Sequence, residues 1–302
     1  FPKKCSVFQG FLLIYSFNQQ IFCNFARKMR NYIRTHNHLL DLSLPRVMAI
    51  VNITPDSFYT SCSSLSENEI LTTVEKFISE GADILDIGAC STRPNSTPVT
   101  AEEEWKRLSV ALTAIRSHWK DIIISVDTFR ADIAERALLA GADIINDVYG
   151  GEADDKMWSV LCKYHTPYIL THSVDIQPID SYNNPLSQML ASLERKLDTL
   201  HKLGIADVIV DPGFGFNKTV EQNYSILQQL DILKETLDTP ILVGVSRKSM
   251  VYKPLNTTPD QVLPATIAAQ TIALERGANI LRVHDVAATK QAIEIFRLTN
   301  NK

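Results

Sequence analysis

Acidic, amide and basic side chains recur in phase along this chain, each where a short apolar run ends: Asn52, Ser91-Thr92-Arg93, Asp127, Asn146, His172, Asp211, Ser246-Arg247-Lys248, and Arg282 with His284. One such residue would be an ordinary surface position, but a polar group after every apolar run describes one face of a molecule. By type they fall into two sets. Asp127, Asp211 and Asn146 offer acceptors, with one amide donor, suited to a flat nitrogen-rich heterocycle. A carboxylate receives two parallel N–H bonds from an amidine-like edge, as it does from guanidinium. Arg93, Arg282 and His284 offer donors for phosphate, and Lys248 can serve either half. Asn52 supplies an oxygen of the kind Mg²⁺ takes alongside waters and substrate phosphates. These residue types describe a cup that holds a polar heterocycle deep inside and a phosphorylated arm nearer its rim.

The elements that must position them are legible in the periodicity. Short apolar, β-branched runs at 47–53, 84–87, 122–126, 144–148, 168–171, 208–210, 241–245 and 280–283 read as buried strands. Amphipathic runs at 67–80, 101–118, 131–140, 186–203, 220–236 and 264–276 read as helices between them. Alternating strand and helix predicts a parallel sheet in an α/β fold, and eight units predict a closed (β/α)8 TIM barrel of one domain. Such barrels place the active site at the C-terminal ends of the strands, where the polar groups lie. An internal repeat agrees. Gly81-Ala82-Asp83-Ile84, Gly141-Ala142-Asp143-Ile144 and Gly277-Ala278-Asn279-Ile280, with the looser Gly204-Ile205-Ala206-Asp207-Val208, each read as a helix-ending glycine leading into an even-numbered strand. A doubly wound open sheet would call for a GxGxxG turn after an early strand, and the sequence has none. Ahead of the first strand, residues 32–42 read as a hairpin turning at Asn37 that closes the barrel floor.

The bulk properties set the context. The chain is 45% hydrophobic and 21% charged with a net charge of −4, so no general attraction draws it to nucleic acid or an anionic membrane. Any bound anion must meet a local cluster of cations. Five cysteines without a CxxC pair favour free thiols and a reducing, cytoplasmic setting over disulfides or structural zinc. The first forty residues carry six Lys or Arg and no acid. Residues 1–28 are expected to stand outside the fold, as an upstream extension before Met29 or as a targeting segment, with residues 29–302 forming the barrel.

Several motifs then carry a family resemblance. Asp211-Pro212-Gly213-Phe214-Gly215-Phe216, Asn52-Ile53-Thr54-Pro55-Asp56-Ser57-Phe58, Ser91-Thr92-Arg93-Pro94, Val243-Gly244-Val245-Ser246-Arg247-Lys248-Ser249 and Arg282-Val283-His284-Asp285-Val286 resemble the dihydropteroate synthases of folate biosynthesis, in the same order over about 47–296. The resemblance implies a (β/α)8 barrel that joins 4-aminobenzoate to 6-hydroxymethyl-7,8-dihydropterin diphosphate and releases pyrophosphate. It implies that Asp127, Asn146, Asp211 and Lys248 hold the pterin, and that Asn52, as the Mg²⁺-linked asparagine, acts with Arg93, Arg282 and His284 on the diphosphate. Phe58, Thr92, Pro94, Phe216 and Ser249 match the aminobenzoate pocket that sulfonamides occupy. A homodimer through outer helices is implied as well. Asp127, Arg93 and Lys248 are the expected catalytic groups, with loops 54–66 and 91–101 closing over a cationic pterin.

The chain departs from the family pattern at Ala49 and Ala89, where glycine is usual, in the loop 59–64, which lacks Asp-Gly-Gly, and at Ser173, where methionine often follows His172. Other readings of single residues stay open at this stage. Asp127, Asp147 and Asp285 can be helix caps, Arg247 can anchor a loop, His172 can be a satisfied core histidine, and Cys90 can be packing. Lys248 also fits a Schiff-base aldolase. A pterin-binding methyltransferase would share the acidic pocket without needing Ser91–Pro94 or the pair Arg282 and His284, and an inactive paralogue would keep the fold without turnover.

Overall fold

Alternate residues of eight short strands separate into two apolar faces, and that separation makes the fold. The computed structural model describes residues 31–35, 38–53, 66–90, 99–176 and 184–300. Strands β1 (Tyr32–Arg34) and β2 (Leu39–Asp41) form an antiparallel hairpin, as the sequence predicts, with Asn37 outside the described residues. The parallel strands are β3 (Arg46–Asn52), β4 (Ile84–Gly88), β5 (Ile123–Asp127), β6 (Ile144–Asp147), β7 (Tyr168–Thr171), β8 (Val208–Asp211), β9 (Leu242–Val243) and β10 (Ile280–Val283). They pair in the order β8-β7-β6-β5-β4-β3-β10-β9, and a parallel bridge between Val210 and Ile241 brings the two ends together. The result is the predicted (β/α)8 barrel.

One face of each strand points at the helices, the other into the barrel. Outward residues such as Val47, Leu85, Ile124, Ile145, Leu170, Val210, Val243 and Leu281 join the buried layer under the helices. The inward set is different. Met48, Ile84, Ile123, Ile144, Ile169, Ile209, Leu242 and Ile280, one from each strand, form a ring with Ile33, Leu40 and Leu42 of the hairpin segment. The hairpin thus plugs the barrel's lower end, and each fully buried Ile or Leu there contributes roughly 1.5–3 kcal/mol. Two residues further along, the inward positions of seven strands change character to Asp86, Ser125, Asn146, Thr171, Asp211, Gly244 and Arg282, while β3 keeps an apolar Ile50. An apolar plug beneath a polar layer leaves one open end, toward the strand C-termini.

The helices are α1 (Glu67–Ser79), α2 (Ala101–His118), α3 (Ala131–Leu139), α4 (Met157–Tyr164), α5 (Pro185–Lys202), α6 (Val220–Gln228), α7 (Leu230–Leu237), α8 (Ser249–Tyr252), α9 (Leu263–Glu275) and α10 (Val286–Thr299). Ser66 and Glu69 form a capping box at α1, and Thr219 and Gln222 form another at α6. The run predicted as one helix at 220–236 is broken at Gln229. Its amide donates back to the Ser225 carbonyl at 3.0 Å, and its own N–H turns to Ile226, one residue short of the helical partner. The strand predicted at 241–245 is shorter, because the chain turns after Val243 to deliver Ser246, Arg247 and Lys248.

The repeat has a structural meaning. Gly81, Gly141, Gly204 and Gly277 all take positive φ, between 83° and 99°, which lets the chain leave the helix and enter a strand at once. The polar residue after each then accepts a backbone N–H: Asp83 from Val47 at 2.8 Å, Asp143 from Ile124 at 2.9 Å and Asn279 from Ile241 at 3.1 Å, each near the start of a neighbouring strand, and Asp207 from Arg34 at 3.0 Å, at the end of β1. The first three oxygens satisfy strand-start donors that the barrel would otherwise bury unpaired, and the fourth ties the hairpin to the barrel.

Candidate active site

The barrel's open end gathers residues from across the chain around one guanidinium. Arg282, on β10, donates from Nε to Asp86 Oδ2 at 2.6 Å and from Nη2 to Asp127 Oδ2 at 2.7 Å. Its side chain is 17% exposed, that of Asp127 15%, and Asp86 is fully enclosed. Asn146 Nδ2 reaches the same Asp86 oxygen at 3.0 Å. Asp127 is therefore no helix cap: α3 begins four residues later with Arg130 at the cap position, while Asp127 faces inward onto Arg282.

Lys248 enters from the turn after β9. Its Nζ donates to the Phe214 carbonyl at 2.5 Å and lies 4.6 Å from the centre of the Phe216 ring. A methyl group placed on Gly244 would sit 3.8 Å from both Lys248 Nζ and Arg282 Cβ, so these two cations flank one strand end. Asp211 accepts from Gly213 N at 2.7 Å. That turn requires glycine: φ is +67°, and a Cβ there would lie 2.1 Å from the His172 carbonyl oxygen. Lys218 locks the same loop by donating to the carbonyls of His172, Gly213 and Phe216 at 2.8–3.0 Å. A cavity of about 670 Å³ opens on this loop's flank between Asp175 and Gln222. Its one ammonium, Lys218, is committed to those carbonyls, so the convergent groups belong to the barrel mouth.

Burial sets the charge states here. Desolvation raises the Asp127 carboxyl, Arg282 draws it back, and Asp86 nearby raises it again. Desolvation also raises Asp211, against the pull of Lys248. The same effect lowers Lys248 to about 8, with Asp211 opposing. Arg282 loses by burial but gains more from Asp86 and Asp127, so it stays charged. His172 is pushed down to about 3 by burial and by Lys218 and Lys196, and its Nδ1 is buried with no partner among the described residues. It is a neutral core histidine whose backbone, not its ring, serves the loop. Burial raises the Cys90 thiol, which suits packing rather than reactivity.

The remaining predicted residues sort cleanly. Asn52 Oδ1 and Asp127 Oδ2 converge over Gly88, each 3.7 Å from where a Cβ on that glycine would lie. His284 pairs through Nδ1 with Ser246 Oγ at 3.0 Å, on the rim beside Arg282. Phe216 lies beneath Lys248, and Ser249 opens α8 directly after it. Phe58, Thr92, Arg93 and Pro94 lie outside the described residues. Arg247 forms a bidentate pair with Asp285, Nε–Oδ2 3.0 Å and Nη2–Oδ1 2.5 Å. Asp285 makes no side-chain cap on α10, a correction to the capping expectation. Asp147 likewise caps no helix and instead ties its own turn, accepting from Tyr149 N, Gly151 N and the Tyr168 hydroxyl. Ala89 has no positive φ, as its Cβ demands.

Two groups escaped the reading of the sequence. Asp86 lies inside a run read as wholly apolar, and its only signal is that it shares the inward phase of Ile84. The second is a buried pair behind Asp127. Glu104 on α2 takes Thr128 Oγ1 at 2.7 Å and pairs with Arg130, which also holds the Val99 carbonyl at 2.7 Å. This pair ties the segment entering α2 to the residues following Asp127.

Fold and site together define a barrel enzyme for a polar heterocycle bearing an anion. The pterin binding enzyme family matches residues 48–284, and the chain belongs to that family. Among curated relatives, the dihydropteroate synthase of Haemophilus influenzae is 38% identical over 272 residues, 88% of this chain and 98% of the relative. A dihydropteroate synthase of Xanthomonas albilineans solved with 4-aminobenzoic acid superposes with a TM-score of 0.83 at 32% identity, covering 90% of this chain and 99% of that one. That of Yersinia pestis, in a sulfonamide drug complex, gives 0.83 at 33% identity, with 90% and 100% covered. Within the family, then, the chain falls among the dihydropteroate synthases.

Proposed function

We propose that this barrel joins 6-hydroxymethyl-7,8-dihydropterin diphosphate to 4-aminobenzoate. The bond from the pterin methylene carbon to the diphosphate oxygen breaks, the amine nitrogen bonds to that carbon and loses a proton, and pyrophosphate leaves with 7,8-dihydropteroate. One observation carries the reading: Arg282 is set between Asp86 and Asp127 in the same mouth that holds Asn146, Asp211 and Lys248. A carboxylate beside a developing carbocation and a guanidinium with N–H groups left over to meet the departing anion are what this displacement needs, and no serine or cysteine nucleophile is required.

In this reading Asp127, Asn146, Asp211 and Lys248 hold the pterin. Asp127 stabilises positive charge as it appears on the methylene carbon and ring. Arg282 and His284, with Arg93, receive the diphosphate. Preorganised groups of this kind commonly supply the largest catalytic effect, since the folded protein has already oriented them. Phe216 and Ser249, with Phe58, Thr92 and Pro94, form the aminobenzoate pocket, where a sulfonamide would compete. Lys248 acts as a cation: its ammonium donates to Phe214 and faces the Phe216 ring, which supports a binding role over a Schiff base.

Among the described residues no group of three His, Cys, Asp or Glu side chains could hold a metal by itself. Asn52 fits Mg²⁺ in another way, as one oxygen beside an ion carried mainly by diphosphate and water. Bound there, Mg²⁺ would neutralise charge on the leaving group. We also propose a homodimer. Ile272 on α9 and Ile295 and Leu298 on α10 are exposed, on two helices packed against each other. Cys90 and Cys162 are free thiols, which suits a reducing cytoplasm. Among the described residues no helix is long and apolar enough to cross a membrane.

The direct test follows pyrophosphate release from the dihydropterin diphosphate with and without 4-aminobenzoate and Mg²⁺. Release that requires aminobenzoate supports the reading, and its absence in the intact protein overturns it. Light scattering at micromolar concentration tests the dimer: a monomer mass would refute it.

A further inference from the structure

A carboxylate whose counter-charge comes from neither its own strand nor an adjacent one is buried deep in the barrel. Asp86 lies one inward step above the apolar ring, is fully enclosed, and draws its partners from two strands away on either side. Asn146 is 60 residues later in the chain and Arg282 is 196 residues later. Both converge on one atom, Oδ2, at 3.0 and 2.6 Å. The other oxygen, Oδ1, is buried with no partner among the described residues. The layer directly below carries no charge: Leu or Ile fills its inward position on every strand except β3, which uses Met.

Two consequences follow from what a carboxylate can do. It only accepts, so the Asn146 amide is held with its nitrogen toward Asp86, and the amide's orientation in the cup is no longer free. The guanidinium is planar, so engaging Nε by Asp86 and Nη2 by Asp127 fixes its plane and leaves Nη1 and the second Nη2 hydrogen for an anion. We infer that Asp86 is a positioning residue for the reaction. Through one shared oxygen it orients the amide that meets the heterocycle and the guanidinium that meets the leaving group, so that the two halves of the substrate are registered to each other. This inference rests on the proposed roles of Asn146 and Arg282.

The test separates orientation from mere charge. Asp86→Asn keeps the shape and removes the negative charge. If Asp86 only neutralised Arg282, the variant would bind pyrophosphate more tightly. If it orients both partners, the new amide's NH2 group competes for the place of its oxygen. Affinity should then fall about tenfold both for pyrophosphate and for 6-hydroxymethylpterin lacking the diphosphate, as expected for losing one charge-assisted bond. The KM for aminobenzoate should change less than about twofold. Titration calorimetry reads both affinities, and unchanged or tighter pyrophosphate binding sinks the inference. Failure of the parent protein to bind either compound would instead indict the assigned function. A measurement on the parent alone covers the case of a misfolded variant. With ¹⁵N-labelled arginine, assigned by Arg282→Lys, the Arg282 Nε–H should be protected from solvent exchange and should stay protected as pyrophosphate is added. An Nε–H that exchanges freely in the parent protein would show that Asp86 does not hold it, and would overturn the proposal.

Discussion

Replacing Asp127 by asparagine should stabilise the protein at alkaline pH while removing most of its activity. Desolvation, partly countered by Arg282 and reinforced by Asp86, raises the carboxyl from an ordinary 3.8 to about 7. The direction already includes the ion pair, so burying the charge outweighs pairing it. In sign, the folded state then holds a proton that the unfolded state has lost between about pH 4 and 7. Stability is greatest at the acid end of that window and falls as pH rises through it. At ~1.36 kcal/mol per pH unit, the interval sets an upper limit of roughly 4 kcal/mol on the loss. The substituted amide carries no such penalty, and Arg282 keeps Asp86. Urea unfolding followed by circular dichroism at several pH values from about 4.5 to 8 should therefore show a flatter profile for the variant and a crossover to greater stability above neutrality. Turnover measured as pyrophosphate release should drop by about 10²–10³, the scale of one preorganised catalytic group. A variant less stable than the parent at pH 8, with the pH slope unchanged, would falsify the claim that burial dominates this carboxyl.

Lys248, held down to about 8, binds fewer protons folded than unfolded between about pH 8 and 10.5, so parent stability should rise across that window. Lys248→Met should abolish the rise, and in the parent pterin affinity should weaken above pH 8 as the ammonium is lost; an affinity flat from pH 7 to 9 would contradict this. The His172 ring should show no titration above pH 5 by NMR, and His172→Gln should leave the pH–rate profile between 5 and 8 unaltered. Gly213→Ala must relieve a 2.1 Å approach to the His172 carbonyl and a positive φ together, so it should destabilise by more than ~1 kcal/mol and raise the KM for aminobenzoate by shifting Phe216. Thermal melting and initial rates check both, and a parent-like melting temperature would refute the steric account.

Much of this molecule was legible in its residues because the relevant physics is local. Strand periodicity, helix caps and the glycine that leads into each even-numbered strand depend on neighbours a few positions away. From them the eight-unit barrel, its floor hairpin and the phase of Asn52, Asp127, Asn146, Asp211, Lys248 and Arg282 could be read. The family resemblance added a name for the chemistry that their charges already suggested.

What the tertiary structure decided is who faces whom. Arg247 and Arg282 both lie among barrel-mouth motifs, yet one is clasped by Asp285 and only the other reaches the two inward carboxylates. Asp86 looks like a blemish in an apolar strand until closure sets it between Asn146 and Arg282. Asp147 and Asp285 have the composition of caps and act as a turn tie and a counter-ion. Apart from the local ties of Asp147 to Tyr149 and Gly151, these outcomes depend on contacts between residues far apart in the chain. Local preference cannot choose among partners that only closure of the barrel brings within reach.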